Sequence, residues 1–145
     1  CDLRILQENY PEIEGINSQP IARCQSLDEI LADKIVSFSQ QTLAPRYRDI
    51  WDIPWIASQP KRDMGSVAGM VSRKLVDYRA QGSEKDILGS GLSRAVELLE
   101  GDVFAGEMKR FLPERILSRT VERPEYREAM AHKIEDVFEF VADRF

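Results

Sequence analysis

Residues 26–35, Ser-Leu-Asp-Glu-Ile-Leu-Ala-Asp-Lys-Ile, decide how the rest of this 145-residue chain is interpreted. Ser26 and Glu29 form a capping box, in which each side chain accepts a hydrogen bond from the other residue's backbone N–H, so a helix begins here. Apolar residues then recur at helical spacing to about Gln41, which predicts an amphipathic helix with one buried face. These apolar positions are Leu27, Ile30, Leu31, Ile35 and Phe38.

The remainder of the chain is also dominated by helical patterns. Further helices are predicted over residues 46–57, 64–80, 92–99 and 103–112 and from Pro124 to Val141. Pro54 should kink or end the helix over residues 46–57, because its ring removes a backbone hydrogen bond and clashes one turn back. Gly89-Ser90-Gly91 is predicted as a loop that leads into the helix over residues 92–99.

Residues 1–25 hold the only plausible strand material in the sequence, in short apolar stretches separated by Pro11, Gly15 and Pro20. We therefore expect a mainly α fold with a short N-terminal β edge. The expected domains are residues 1–25, the edge and its loop, and residues 26–145, a bundle of about six helices.

Composition excludes several classes of protein. Hydrophobic residues make up 43% of the chain, but none of its apolar runs approaches the roughly 20 residues of a membrane span. A net charge of −5 argues against a dedicated, strongly basic nucleic-acid-binding module. Cys1 and Cys24 are too few for a disulfide framework or a metal cluster. Free thiols are typical of a reducing compartment, so we expect a cytoplasmic protein.

Lys34 interrupts the apolar face of the first helix. It lies three residues after Leu31 and four after Ile30, so a charge is directed at the core and needs either a partner or a route to water. In one interpretation its alkyl chain covers apolar surface while the ammonium reaches solvent. In the other, the ammonium belongs to a functional site.

The second predicted helix supplies candidate partners. Asp49 and Asp52 are three residues apart and leave one face of the helix, beside Arg48. Consecutive helices joined by a short loop usually pack together, so Lys34 and Asp49 should converge. The pair is then either a structural salt bridge or a site where lysine neutralises a phosphate and aspartate orients the reacting groups. Residue spacing alone leaves both interpretations open.

The stretches at residues 26–35 and 48–53 together resemble the AbiEii/AbiGii nucleotidyltransferase family of bacterial toxins. That family has an S-x-E-E-(I/L)-L-A-x-K-L helix followed by an R-D-(L/I)-(Y/W)-D-(L/I) helix. The resemblance implies that Lys34 and Asp49 are the active-site lysine and aspartate. It also places Arg48 and Asp52 at the flanking motif positions, as substrate-binding residues beside Lys34. The match is dense only over residues 26–53.

The resemblance implies that an intact enzyme transfers nucleotides from an NTP with Mg²⁺, plausibly to RNA such as tRNA, and has an antitoxin partner. The family's D-x-D pair, which binds the metal, and its Gly-Ser phosphate loop on a mixed sheet are not found in this sequence. We therefore expect this chain to be the C-terminal half of such an enzyme, with no metal site and no activity of its own. The alternative is a non-enzymatic helical protein–protein interaction module.

Trp51 and Trp55 are one helical turn apart. We interpret them as core or interface anchors and not as a platform for stacking nucleic-acid bases. Short basic pairs such as Lys61-Arg62 and Lys109-Arg110 could line a groove that faces tRNA in an intact enzyme. Scattered solvated charge is the commoner explanation of such pairs.

Overall fold

A computed structural model describes residues 24–40, 44–78 and 80–145 of the chain. These residues form seven helices and no strand, which confirms a mainly α fold. The predicted β edge at residues 1–25 lies outside the described residues, except for Cys24 and Gln25, which have no regular structure. The helices are α1 (Leu27–Gln40), α2 (Tyr47–Ala57), α3 (Met64–Asp77), α4 (Glu84–Glu100), α5 (Asp102–Met108), α6 (Glu114–Leu117) and α7 (Pro124–Ala142).

Helix α1 lies at the centre of the bundle. Its capping box forms as predicted: Glu29 N–H donates to Ser26 Oγ over 3.1 Å, and Ser26 N–H donates to Glu29 over 2.8 Å. The helix packs against α2, α3 and α4, while α7 closes the other side of the core against α2, α3 and α4. Its fully buried residues are Leu31, Ala32, Ile35, Val36 and Phe38.

Helix α4 begins eight residues earlier than predicted. Ser83 caps it by accepting a hydrogen bond from the backbone N–H of Asp86, so Gly89-Ser90-Gly91 lies inside the helix. The prediction of a loop there was wrong, because a strong N-terminal cap and tertiary packing outweigh the low helix propensity of two glycines. In the part of the chain that the structure describes, no helix is long and apolar enough to cross a membrane.

Pro54 does not end α2, which continues to Ala57. Pro54 itself is buried on the face that α2 presents to the core, where packing offsets the missing backbone hydrogen bond. The interpretation of the tryptophans as anchors holds in part. Trp51 is half-buried and stacks on Tyr126 of α7, with ring centroids 6.1 Å apart, whereas Trp55 is 53% exposed. Trp55 therefore lies outside the core.

The glycines of α4 have different roles. A Cβ atom on Gly91 would lie 2.6 Å from Ser39 Oγ and 3.1 Å from Ser39 Cα, so α1 and α4 cross in close contact at this point. A Cβ atom on Gly89 would meet nothing within 4 Å. Gly91 is thus required by the helix crossing, and Gly89 is not.

Gly91→Ala should lower the free energy of unfolding by about 1–3 kcal/mol, because the added methyl group forces α1 and α4 apart. Gly89→Ala, two residues earlier in the same helix, should raise it by about 0.5–1 kcal/mol through helix propensity alone. Urea denaturation of both variants measures the difference. Equal effects of the two substitutions would contradict the close crossing.

Candidate functional site

The ammonium of Lys34 is held between two carboxylates of α2. Its Nζ lies 2.9 Å from Asp49 Oδ1 and 2.7 Å from Asp52 Oδ2. Lys34 extends from the buried face of α1, and the three-residue spacing of the aspartates directs both toward it. The predicted convergence of Lys34 and Asp49 is therefore what the geometry shows. The side chain of Lys34 is 20% exposed, while that of Asp49 is 2% exposed.

Arg46 is a further member of the cluster that the sequence analysis did not single out. Its Nε lies 2.8 Å from Asp49 Oδ2. The Nε–H is not aligned with this oxygen, which accepts no hydrogen bond from the described residues even though it is buried. Arg46 immediately precedes α2, three residues before Asp49. The (i, i+3) spacing of Arg46 and Asp49 is the sequence feature that could have identified this ion pair.

Arg48 sits at the outer edge of the cluster. Its Nε is 3.6 Å from Asp52 Oδ2, its side chain is 67% exposed, and its guanidinium lies 5.8 Å from the ring centroid of Phe111. A surface ion pair at this separation contributes little to stability. The guanidinium is therefore available to a ligand at small cost to the fold.

The pKa of Lys34 is raised above its ordinary value. Burial acts to lower it, but the hydrogen bonds to Asp52 and Asp49 and the charges of both carboxylates outweigh the burial. Lys34 therefore stays protonated at neutral pH. An ammonium has three N–H donors, and two of these meet the aspartates, which leaves one without a partner among the described residues.

A cleft of about 290 Å³ opens onto this cluster. Lys34, Arg46 and Arg48 line it on one side, and Glu107 and Phe111, from α5 and the segment after it, line the other. Glu107 is itself 3.3 Å from Arg110. Three cations, Lys34, Arg46 and Arg48, thus line the cleft together with two carboxylates, Asp49 and Glu107.

This arrangement suits an anion and does not suit a divalent cation. Mg²⁺ needs oxygen ligands free to enter an octahedral shell, whereas Asp49 and Asp52 are bound by Lys34 and flanked by two arginines. Arginine and lysine are the residues that bind phosphate oxygens. Nor do three His, Cys, Asp or Glu residues come together anywhere in residues 24–40, 44–78 and 80–145 as a metal site would require.

The model of one protein family matches residues 4–143, which is nearly the whole chain. The description of that family is "Nucleotidyl transferase AbiEii toxin, Type IV TA system". No curated protein and no solved structure matches the chain significantly.

Lys34→Met should lower the free energy of unfolding by about 3 kcal/mol, because Asp49 then stays buried with Arg46 as its remaining charged neighbour. Adding Asp49→Leu should restore stability to within about 1 kcal/mol of wild type, since an apolar pair of similar size replaces the ion pair. Urea denaturation of both single variants and the double variant gives the coupling energy. A coupling energy near zero would mean that the two side chains do not interact.

The contribution of Lys34 to stability should disappear at high pH. A lysine whose pKa is raised by folding stabilises the native state fully below the unfolded value of about 10.4, and this contribution is lost as the pH rises through the folded-state pKa. The stability difference between wild type and Lys34→Met should be constant from neutral pH to about pH 9 and shrink above about pH 10.4. Taking the difference cancels Lys74, whose pKa is also raised, by its hydrogen bond to Asp33. A difference that grows with pH would contradict the ion pair.

Proposed function

Since the chain belongs to the AbiEii family of nucleotidyl transferase toxins, we propose that the Lys34 cleft binds the phosphates of a nucleoside triphosphate during nucleotide transfer to RNA, such as tRNA. The observation that carries this proposal is the set of three cations, Lys34, Arg46 and Arg48, that line one open cleft against two lining carboxylates, Asp49 and Glu107. Nothing in a purely structural ion pair requires two further arginines at its solvent edge.

Lys34 would contact the phosphates directly. The third N–H of Lys34 would donate to a phosphate oxygen, while the other two keep the ammonium fixed between Asp49 and Asp52. Holding the side chain in place before the substrate arrives lowers the entropy lost on binding, which is how a site becomes preorganised. Arg48 and Arg46 then add donors from the rim of the cleft.

Asp49 acts in this proposal as a positioning residue. It is buried, one oxygen holds Lys34 and the other lies against Arg46, so it acts on the substrate through these two cations. Asp52 is more exposed and joins Lys34 to Arg48. The two aspartates therefore align the two side chains that would bind the substrate.

The transfer chemistry of the family uses a metal as well as an NTP. A metal in such a reaction bridges the phosphate oxygens and neutralises charge that develops on them. The Lys34 cluster does not fit Mg²⁺, and the sequence has no D-x-D pair. We therefore assign the Lys34 cluster the phosphate-holding part of the site, and the metal would need carboxylates other than Asp49 and Asp52.

The family's type IV toxin–antitoxin system implies an antitoxin partner for the protein. Such systems pair a toxic activity with a protein that opposes it, and control of nucleotide transfer in a bacterial cytoplasm fits this arrangement. A helical interaction module without activity is the second candidate function. The observation that favours it is the engagement of Lys34 by two aspartates, which a structural bridge would also show.

Arg48→Ala should weaken the binding of nucleoside triphosphates about 10- to 100-fold, because it removes charge-assisted hydrogen bonds while leaving the exposed rim of the fold intact. Arg73→Ala is the matched control, since Arg73 is an exposed arginine of α3 away from the cleft. Equilibrium dialysis with labelled nucleotides measures both. Equal affinities for the two variants would favour the interaction module.

Nucleotide transfer by the full-length protein should be lost in the double variant Lys34→Met/Asp49→Leu. This variant keeps the fold without the charged pair, so its inactivity cannot be attributed to unfolding. Incorporation of labelled nucleotide into RNA is the readout, and circular dichroism verifies the fold. A folded double variant with normal transfer would rule out a role for Lys34 in the reaction.

A further inference from the structure

A second cleft lies between α2 and α7. It has a volume of about 230 Å³ and is lined by Trp51, Trp55, Tyr126, Met130 and Lys133, among others. Trp51 forms its wall by stacking on Tyr126. Trp55 is 53% exposed and Tyr126 is 37% exposed, so both rings present apolar faces to solvent. This set of residues is called the tryptophan cleft below.

Basic side chains border the tryptophan cleft. Lys133 lines it directly, and a shallow depression that shares Tyr126 with it is lined by Arg119 and Arg123, with Glu125 as the acidic member. Lys133 and Arg119 make no ion pair with any carboxylate in the part of the chain that the structure describes. The local charge is therefore positive on a chain whose net charge is −5.

The tryptophan cleft continues the face of α2 that carries the candidate site. Arg48, Asp52 and Trp55 are spaced four and three residues apart, so they project from one side of the helix. Seven residues of α-helix rise about 10 Å, which is the axial distance from Arg48 to Trp55. A molecule lying along this face would reach both the aromatic rings and the cleft at Lys34.

Exposed aromatic rings combined with unpaired cations are the features that bind single-stranded nucleic acids. Bases stack on the rings whatever their sequence, and lysine and arginine neutralise the phosphates between them. Lys133 and Arg119 have no carboxylate partner among the described residues, and such cations favour a polyanionic occupant at this edge.

We infer that the tryptophan cleft binds unpaired nucleotides of a single-stranded RNA, with Lys133 and Arg119 on the phosphates. Trp55 is the stacking residue, which revises the interpretation of this tryptophan from the sequence, because its ring is 53% exposed. This inference rests on the proposed function, because it identifies the surface that holds the acceptor of the transfer reaction. The occupant is recognised by its bases and backbone charge and not by a particular sequence.

The test is fluorescence anisotropy of a labelled short oligoadenylate with the full chain, in the absence of nucleotide and metal. Trp55→Ala should weaken binding about 5- to 150-fold, and Trp55→Phe, which keeps an aromatic face, should restore most of it. Tyr78→Ala is the matched control, because Tyr78 is also an exposed aromatic residue, 61% exposed at the end of α3. It should leave the affinity unchanged.

The salt dependence tests the cations separately. Lys133→Ala and Arg119→Ala should each reduce the slope of log affinity against log salt concentration by about 0.7, the value for one phosphate contact on a single strand. Unchanged affinity in Trp55→Ala, or equal losses in Trp55→Ala and Tyr78→Ala, would overturn the inference. The inference would also be overturned if the wild-type chain did not bind the oligonucleotide but self-associated through Trp55, since the surface would then be a protein interface.

Different measurements test nucleotide binding at the Lys34 cleft and RNA binding at the tryptophan cleft. Arg48→Ala should lose affinity for nucleoside triphosphate, whereas Trp55→Ala should lose affinity for the oligonucleotide and keep its affinity for nucleoside triphosphate. Binding of RNA that depends on Trp55, together with normal transfer in Lys34→Met/Asp49→Leu, would retain the RNA surface and reject the proposed site. RNA binding that does not depend on Trp55, together with loss of transfer in Lys34→Met/Asp49→Leu, would retain the Lys34 cleft and reject the tryptophan cleft as an RNA-binding surface.

Discussion

The ion pair between Lys34 and Asp49 constrains the arrangement of the first two helices. Lys34 projects from the apolar face of α1, and a buried ammonium needs an opposite charge within hydrogen-bonding distance. Asp49 supplies that charge from the first turn of α2, where the positive end of the helix dipole also favours a carboxylate. A register shift of α2 by one residue would move Asp49 off the shared face and separate it from Lys34.

The rest of the bundle is built around the position that this pair gives α1. Asp28 lies 3.0 Å from Arg62, in the segment before α3, and Asp33 lies 2.6 Å from Lys74 of α3, so α1 is also ion-paired to α3 and the segment before it. The close crossing at Gly91 brings α4 against Ser39 near the end of α1. Arg94 of α4 donates to the carbonyls of Phe38 and Ser39, which are among the last acceptors of that helix. Each neighbour of α1 therefore meets it through a directional contact as well as through apolar packing.

The sequence predicted those parts of the structure that depend on local signals. The capping box at Ser26 follows from spacing within one turn, and the convergence of Lys34 with Asp49 follows from two helix faces joined by a short loop. The start of α4 was not predicted, because two glycines suggest a loop until the residue packed against Gly91 is known. The exposed position of Trp55 likewise depends on how α2 meets α7. Spacing within one helix carries no information about that.

Helix α2 links the two surfaces on which the proposals rest. Its inner residues, Ile50 and Ile53, fix the helix in the core, so the residues of its outer face cannot move independently of one another. Arg48 and Trp55 are therefore held at a constant separation by the same buried contacts that orient Asp49. A nucleotide in the Lys34 cleft and an RNA strand on the tryptophan cleft would each be positioned relative to this one rigid element. The relative position of the two substrates would then depend on this helix.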